Sequence, residues 1–573
     1  MVRLLLLTPF FLLAAQTPIT IHISADAPGT PFKPIYNWFG YDEPNYTYGA
    51  HGPMLLHELA SLAPVPVYIR THNLLTTGNG EASLKWGSTN VYTEDAQGHP
   101  VYDWKILDRI LDTYRDANTR PMFEIGFMPE ALSINPQPYR HNWPQTGITA
   151  GWSYPPKDYG KWEELNFQIV QHCVERYGKE NVEKWLWEVW NEPDIGYWKG
   201  TPEEYFQLYT SAVKGVRRAL PTAQVGGPAT TGPANPKAAA FLKFFLDRCA
   251  QTSVPIDFIS YHAKGRPTLV DGHVRMGLEK ELADVEAGLN IIEAFPKFRS
   301  LPIILSEADP EGCAACSARN HPENAYRNGP LYATYTATAL NGIQQLADQR
   351  HMNIQGMLTW AFEFEDQPYF DGFRTLATNG IDKPVLNVFR MFGLLSGTLL
   401  PTSTPAPTTP PVPTSATTPV STTSPVPSTT SPASTTTPVS TTTPVPSRDR
   451  QEAPTALATR TANTVTVMLW NYHPDDIPGP DTEVTLDITG LPTHLLLQHY
   501  RIDEHHSNAY DMWRQMGSPQ QPSPNRQSEL ESAAQLQPLT SPEWLSPTQG
   551  RFLLTLHLPY QSVDLVVLTG GSQ

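Results

Sequence analysis

The chain has 573 residues, of which 40% are apolar and 17% charged, and 56 acidic residues against 40 basic ones give a net charge of −16. This composition supplies a sizeable core and excludes a chain that is disordered over most of its length. Proteins that bind nucleic acid usually carry a basic excess, so we expect no nucleic-acid partner. The length predicts three or four ordinary domains, or one large barrel with a smaller partner domain.

Residues 1–16 predict a secretory signal peptide. Arg3 is followed by an apolar run from Leu4 to Ala15, which is too short to span a bilayer comfortably. An uncleaved anchor is the alternative. We expect a secreted protein, periplasmic or extracellular, that has no membrane association once the signal is removed.

The four cysteines predict no metal site. Cys313 and Cys316 form a C-x-x-C, but no second pair and no nearby histidine cluster complete a zinc site. Export permits disulfides, so either a short local disulfide or two buried thiols is consistent with this spacing. Cys173 and Cys249 lie in predicted helices and are expected in the core.

Residues 401–450 predict a low-complexity linker. From Pro401 to Ser447 the chain uses only Pro, Ser, Thr, Ala and Val, and 13 of these 47 positions are proline. Neither helix nor sheet can propagate through such a segment, which favours an extended, solvated spacer. The linker separates a barrel assigned to residues 31–400 from a smaller domain at 451–573.

Eight short apolar strands alternate with helical patterns before the linker. The strands are predicted at Tyr36–Tyr41, Val65–Arg70, Pro121–Phe127, Lys184–Trp190, Gln224–Gly227, Phe258–His262, Pro302–Ser306 and Gln355–Phe362. One intervening helix is expected over Asp103–Asn118 with Asp103 as its N-cap, and another begins at a capping box, Thr201 to Glu204. This alternation predicts an α/β fold, a (β/α)8 TIM barrel. An open doubly wound sheet is the rival, but no G-x-G-x-x-G follows any strand.

Strands without long helices between them follow the linker. They are predicted at Thr464–Trp470, Glu483–Ile488, His494–Tyr500, Phe552–His557 and Val563–Leu568. This pattern predicts a C-terminal β-sandwich. Residues 17–30 contain an early strand, Ile19–Ile23, which precedes the barrel and is a candidate member of the sandwich.

Carboxylates, histidines and aromatic residues gather where the predicted barrel strands end. Catalytic side chains of such barrels project from the carboxyl ends of the strands. Glu192 follows the fourth strand and Glu307 follows the seventh, so the two face each other across the barrel mouth. Retaining glycoside hydrolysis uses such a pair, one protonated to donate to the leaving oxygen and one ionised to attack the anomeric carbon.

The segment Trp187-Glu188-Val189-Trp190-Asn191-Glu192-Pro193-Asp194 resembles the W-N-E-P signature of clan A glycoside hydrolases. Four further segments narrow the resemblance to glycoside hydrolase family 39, which holds β-xylosidases and α-L-iduronidases. They are Ile69-Arg70-Thr71-His72, Val225-Gly226-Gly227-Pro228, Phe258-Ile259-Ser260-Tyr261-His262 and Ser306-Glu307-Ala308-Asp309-Pro310, with Arg501-Ile502-Asp503 and Ser507-Asn508-Ala509-Tyr510 in the second domain.

This resemblance implies Glu192 as the acid/base and Glu307 as the nucleophile, with no cofactor and no metal. It further implies substrate contacts from Asn191 to the sugar 2-OH, from His72, His262 and Trp360 around the glycone, and from Glu363 or Glu365 to sugar hydroxyls. Lys264 and Arg374 match iduronidase positions that bind a uronate carboxylate; alternatively, they pair with carboxylates of the protein itself.

The sequence therefore predicts a secreted retaining glycoside hydrolase, with an exo-acting β-xylosidase favoured. Its expected partner is an oligosaccharide, and a homo-oligomer remains open. Two alternatives stand beside it: an iduronidase-like uronide hydrolase, because Glu307 is followed by Ala-Asp-Pro as in that branch, and a non-catalytic carbohydrate-binding protein.

Overall fold

The computed structural model describes residues 19–140, 151–403 and 454–571. The predicted signal peptide and nearly all of the predicted linker lie outside the described residues. No helix within these ranges is long and apolar enough to cross a bilayer.

Eight parallel strands close into a barrel and follow one another around it in chain order. They are Trp38–Tyr41, Tyr68–Thr71, Arg120–Ile125, Leu186–Val189, Gln224–Thr230, Phe258–Lys264, Ile303–Asp309 and Ile354–Trp360. Each overlaps one of the eight predicted strands, which confirms the TIM barrel. Because the strands are parallel, their carboxyl ends form one rim, and the candidate site lies on that rim.

Helices surround the barrel and two more belong to the second domain. Their bounds are Gly52–Ser61, Lys105–Asp116, Tyr159–Tyr177, Lys179–Val182, Pro202–Ala219, Pro236–Thr252, Leu278–Glu293, Pro330–Arg350, Pro384–Gly393, Ala509–Gln515 and Pro524–Ala534. The capping box at Thr201 and Glu204 is confirmed, with both reciprocal hydrogen bonds present. The prediction of Asp103 as N-cap is wrong. Trp104 holds that position with near-helical backbone angles and forms no side-chain cap, and Asp103, one residue before it, accepts a hydrogen bond from the amide of Lys105, the first helical residue.

The second domain is a pair of sheets. The first orders Thr402–Ser403, Ile19–Ser24, Thr482–Thr489 and Phe552–Leu558. The second orders Thr30–Pro31, Thr398–Leu400, Thr455–Arg460, Thr464–Asn471, Ser562–Gly570, Leu495–Ile502 and Glu543–Leu545. Segments that precede and follow the barrel in the chain thus complete the sandwich. Ile19–Ser24 runs parallel to Thr482–Thr489, and Thr398–Leu400 pairs antiparallel with Thr455–Arg460.

One face of the sandwich packs on the barrel. Buried side chains of the seven-stranded sheet, among them Met468, Trp470 and Leu565, belong to the same apolar core as the barrel helices. A separate apolar core, including Val467, Leu486 and Val566, lies between the two sheets. The seven-stranded sheet therefore buries apolar side chains on both faces. This burial stabilises its packing on the barrel and its packing on the other sheet.

The four cysteines form one disulfide and two buried thiols. Cys313 and Cys316 form a disulfide whose Cα atoms are 5.5 Å apart, which is the first of the two arrangements left open above. Cys173 and Cys249 are buried, unbonded thiols, and burial raises the pKa of Cys249 to about 12. A thiol held protonated in the core is inert, so both act as small apolar residues.

Candidate active site

A bulge at Ser306 in the seventh barrel strand brings Glu307 opposite His262 of the sixth. Tyr261 pairs with Leu305 of the seventh strand, but the next residue, His262, pairs with Glu307, one position further on than a regular ladder would give. Such a bulge re-aims a side chain and is common beside active sites. His262 Nδ1 lies 2.9 Å from Glu192 Oε1 and 3.8 Å from Glu307 Oε2.

Glu192 stands on a strained turn after the fourth strand. Trp190 and Glu192 have φ angles of 75° and 44°, in the left-handed region that side-chain-bearing residues avoid. The Glu192 amide donates to the carbonyl of Ala229 at 2.9 Å, which fixes the turn to the neighbouring strand. Strain of this kind persists where surrounding structure holds a functional group in place. The side chain of Glu192 keeps 16% of its surface exposed.

The carboxylates of Glu192 and Glu307 face each other across a narrow gap. One oxygen of each, together with a ring nitrogen of His262, lie within 4.8 Å of one another. Retaining glycosidases hold their two carboxyl groups ~5–5.5 Å apart, whereas inverting enzymes need ~6.5–9.5 Å to admit a water molecule. The observed spacing suits direct attack by one carboxylate on a sugar bound between them.

Positive groups surround Glu307. Arg70 Nη1 lies 3.2 Å and His72 Nε2 3.4 Å from its Oε1, and Lys264 Nζ lies 2.7 Å from its Oε2. Burial alone raises the pKa of Glu307, but the charges of His262 and Lys264 and the hydrogen bond and charge of His72 outweigh it and hold the pKa well below its usual range. Glu307 is therefore ionised across the physiological pH range.

These same charges argue against a metal ion. Glu192, His262 and Glu307 could each offer a ligand atom to one ion by distance alone. However, Lys264 and Arg70 already contact the two oxygens of Glu307. A divalent cation placed there would be repelled at short range by both, so the arrangement favours acid–base chemistry over metal coordination.

Arg70 connects Glu307 to the barrel interior. Its side chain is fully buried, with Nε 2.5 Å from Glu188 Oε2 and Nη2 3.1 Å from Glu124 Oε2. Nη2 also donates to Asn191 Oδ1 at 2.9 Å. Asn191 is thus held by its oxygen, and its buried Nδ2 has no hydrogen-bond partner within the described residues.

His72 carries a positive charge beside Glu307. Its Nδ1 lies 2.6 Å from Asp42 Oδ1, and its ring centroid is 4.3 Å from that of Trp360. Burial lowers the pKa of His72, but the negative charges of Glu124 and Asp42 more than reverse this and raise it to about 9. Trp360 is buried against this imidazolium, so it shapes the site through packing as well as by any sugar contact.

Lys264 and Arg374 belong to a chain of ion pairs. Lys264 and Arg374 both pair with Asp309, and Arg374 Nε also lies 2.8 Å from Glu311 Oε1. Arg327 Nη2 approaches the same Glu311 oxygen at 2.7 Å. Arg374 is fully buried, and carboxylates of the protein face its charge. These contacts favour the interpretation that Lys264 and Arg374 pair with carboxylates of the protein itself.

Glu363 and Glu365 point elsewhere. Glu363 accepts a hydrogen bond from the Gly380 amide at 2.5 Å, and Glu365 accepts from the amide and ring of His51 at 3.0 and 3.1 Å. Burial raises the pKa of Glu363 to about 8. Within the described residues, no hydrogen bond or ion pair joins either side chain to Glu192 or Glu307. The structure thus groups eight of the ten predicted site residues and leaves these two apart.

Several charged residues of the site were not among those predicted. They are Asp42, Arg70, Glu124, Glu188 and Asp309. Arg70 and Glu188 carried a usable signal, because a charged residue inside an otherwise apolar strand must be buried with a partner. Which partner it meets depends on the stagger of the strands around the barrel, and that is not readable from one strand.

Sequence comparison agrees with this geometry. The model of "Glycosyl hydrolases family 39" matches residues 67–544. A β-xylosidase of Geobacillus stearothermophilus is 28% identical over 515 residues, covering 87% of this chain and 85% of the relative. An α-L-iduronidase of Mus musculus is 24% identical over 592 residues, covering 96% of this chain and 81% of the relative.

Solved structures share the fold. The GH39 enzyme from Xanthomonas axonopodis pv. citri superposes with a TM-score of 0.74 at 22% identity, covering 98% of this chain and all of that one. A monomeric β-xylosidase from Caulobacter crescentus CB15 gives 0.73 at 21% identity, covering 96% and 100%. At such identities the likeness establishes the architecture only. With the family match spanning most of the chain, the protein belongs to glycosyl hydrolases family 39 and is a glycoside hydrolase.

Proposed function

We propose that the protein is an exo-acting, retaining β-xylosidase that releases xylose from the non-reducing ends of xylo-oligosaccharides. The observation that carries the proposal is the short gap between Glu192 and Glu307 combined with their unlike surroundings. Glu307 is buried among cations, whereas Glu192 contacts His262 and is partly exposed at the rim. One carboxylate is prepared to attack and the other to exchange a proton.

The reaction follows from these roles in two steps. Glu307 attacks the anomeric carbon as the glycosidic carbon–oxygen bond breaks, and the proton of Glu192 passes to the leaving oxygen. The product of this step is a glycosyl ester on Glu307 and a free alcohol. Water then gives its proton to Glu192 and its oxygen to the anomeric carbon, and the ester bond breaks. Two inversions leave the anomeric configuration unchanged.

Asn191 is assigned to the substrate in this scheme. Its Nδ2 is a buried donor without a hydrogen-bond partner among the described residues, and Asn191 precedes Glu192 directly in the chain. A donor there reaches the 2-OH of the sugar, and that contact strengthens as positive charge develops on the ring. Arg70 acts through Asn191 by holding its oxygen.

We favour a neutral sugar because Lys264 and Arg374 are already paired with carboxylates of the protein. A uronate carboxylate would need a cation whose charge is not already balanced, since pairing is what repays the loss of hydration. Lys264 contacts Glu307 and Asp309, and Arg374 contacts Asp309 and Glu311. Xylose, which bears no carboxylate, is the glycone that this balance favours.

A panel of nitrophenyl glycosides tests the assignment. We expect hydrolysis of the β-D-xyloside, little of the β-D-glucoside and none of the α-L-iduronide. Glu192→Gln and Glu307→Gln should lose turnover of xylobiose while folding normally, and the exposed Glu529→Gln serves as the matched control. Activity on the iduronide without activity on the xyloside would show that the protein is a uronide hydrolase instead. Sugar binding without turnover would show that it is a non-catalytic carbohydrate-binding protein.

We also propose that the protein is exported after removal of residues 1–16. The support is the sequence pattern of that segment. N-terminal sequencing of protein recovered outside the cytoplasm should begin near Thr17, and an intact Met1 in the mature protein would contradict it.

A further inference from the structure

Glu192 is one of the residues that line an open groove. It has a volume of about 800 Å³ and is lined by segments that follow the fourth to seventh barrel strands. Its lining also includes Lys264, Arg266, Lys280 and Glu323. Cavities of a few hundred to a thousand Å³ hold small ligands, so one or more sugar rings fit here. Because Glu192 is the group proposed to protonate the leaving oxygen, the groove receives the leaving part of the substrate.

Three acidic groups of the groove, Asp284, Glu311 and Glu323, contact other side chains of the protein. Lys280 Nζ lies 2.7 Å from Asp284 Oδ2, and Glu323 Oε1 is 3.3 Å from the ring of His321. Glu311, a further wall residue, pairs with Arg327 and Arg374 as described above. Asp284 and Glu311 are therefore paired with cations, and Glu323 contacts a histidine ring.

Arg266 differs from the other cations of the groove. Arg266 is exposed, and its guanidinium forms no ion pair with any residue that the structure describes. Lys264 and Lys280, by contrast, each contact a carboxylate. A guanidinium in a groove is well suited to bind a carboxylate with two parallel hydrogen bonds.

The backbone that carries Arg266 is held firmly. A side chain at Gly277 would meet the Arg266 carbonyl oxygen at 2.7 Å, so the two segments are in close contact. The hairpin that follows, Thr268–Val270 with His273–Arg275, is fixed to the sandwich. Arg275 Nε and Nη2 lie 2.6 and 2.9 Å from the two oxygens of Asp475. A rigid support lowers the entropic cost of ordering Arg266 on a ligand.

We propose that this groove takes an acidic leaving group, a xylo-oligosaccharide whose sugar next to the cleaved bond carries a uronic acid, and that Arg266 determines this preference. The inference rests on the proposed xylosidase function, which it deepens by naming the substrate class. The glycone is neutral and the carboxylate belongs to the aglycone.

Kinetics on two substrates test the inference. Xylobiose is the neutral substrate, and the acidic one is xylobiose with glucuronic acid on its reducing-end xylose. The variants are Arg266→Gln, Arg266→Lys and the control Arg526→Gln, which removes an exposed arginine from the sandwich helix Pro524–Ala534. Each is measured for kcat and KM at low and high salt.

We expect the wild-type enzyme to prefer the acidic substrate, and Arg266→Gln to lower the ratio of acidic to neutral kcat/KM by about two- to fivefold through KM. Arg266→Lys should retain part of the preference, Arg526→Gln should retain all of it, and salt should weaken it. An equal loss on both substrates, an unchanged ratio, or no cleavage of the acidic substrate would overturn the inference while leaving xylobiose hydrolysis intact. Failure to cleave xylobiose itself would instead overturn the proposed function on which the inference rests.

Discussion

Lys264 Nζ lies 2.7 Å from Glu307 Oε2, and the same ammonium group pairs with Asp309. The contact places a permanent positive charge on one oxygen of the residue to which we assign the nucleophilic attack. Burial would otherwise favour the protonated acid, which cannot attack an anomeric carbon. Lys264 is thus a positioning residue that keeps Glu307 ionised.

Replacing Lys264 by Gln should shift the pH profile of the enzyme. The positive charges of His262 and Lys264 and the contact with His72 hold the pKa of Glu307 low against the effect of burial. Loss of the ammonium raises that pKa, so the acidic limb of kcat/KM should move about one to three pH units upward. Lys243→Gln, which breaks an exposed pair with Asp247, is the control. An acidic limb in the same place in both variants would refute this role.

Glu192→Ala should discriminate among leaving groups. Without a proton donor, hydrolysis of xylobiose should fall by about 10²–10⁴, whereas an aryl xyloside whose leaving group departs as an anion should lose less in its first step. Added azide should restore turnover and give the β-configured glycosyl azide, because the ester on Glu307 still forms. The test compares kcat/KM across aryl xylosides of graded leaving-group acidity. A loss independent of the leaving group would exclude the acid/base role.

His72 should make stability depend on pH. Its pKa is about 9 in the folded protein against 6.5 for an ordinary histidine, since the charges of Glu124 and Asp42 outweigh burial. A raised pKa contributes stability that is fully present below pH 6.5 and is lost as the pH rises through about 9.

Thermal unfolding between pH 5 and pH 10 measures this contribution. The melting temperature of His72→Gln should lie below that of the wild type by several degrees in the acidic range, and the gap should narrow at alkaline pH. The exposed His557→Gln should show no such trend. A gap that widens with pH would contradict the assigned charge on His72.

Arg374→Met should destabilise the protein. The substitution leaves Asp309 and Glu311 buried with one cation fewer, and breaking a buried ion pair in this way costs about 3–5 kcal/mol of unfolding free energy. Arg319→Gln, which removes an exposed partner of Asp371, should change it by less than about 0.5 kcal/mol. Chemical denaturation separates the two. If Arg374→Met left stability intact and raised KM alone, Arg374 would be a substrate contact.

The sequence predicts the barrel and its two facing glutamates because both depend on local patterns. Apolar strands alternate with amphipathic helices, and the carboxyl ends of parallel strands meet on one rim. Glu192 follows the fourth strand and Glu307 lies near the carboxyl end of the seventh, so their meeting could be expected from strand order alone.

Contacts set by loops and by strand stagger are less predictable. Glu363 and Glu365 follow the eighth strand and carry the right charge, but that loop turns toward Gly380 and His51. Arg70 meets Glu124, Glu188 and Glu307 because three other strands offer carboxylates at its height in the barrel. Such a meeting depends on the register between strands, which single-strand patterns do not contain.

Trapping the covalent intermediate tests the central claim most directly. A 2-deoxy-2-fluoro-β-xyloside with a good leaving group slows breakdown of the glycosyl ester more than it slows formation. After incubation and proteolysis, mass spectrometry should find one fluoroxylosyl group per chain, on the peptide and side chain of Glu307. A label on a different carboxylate, or turnover of xylosides with no covalent adduct and an inverted product, would contradict the account.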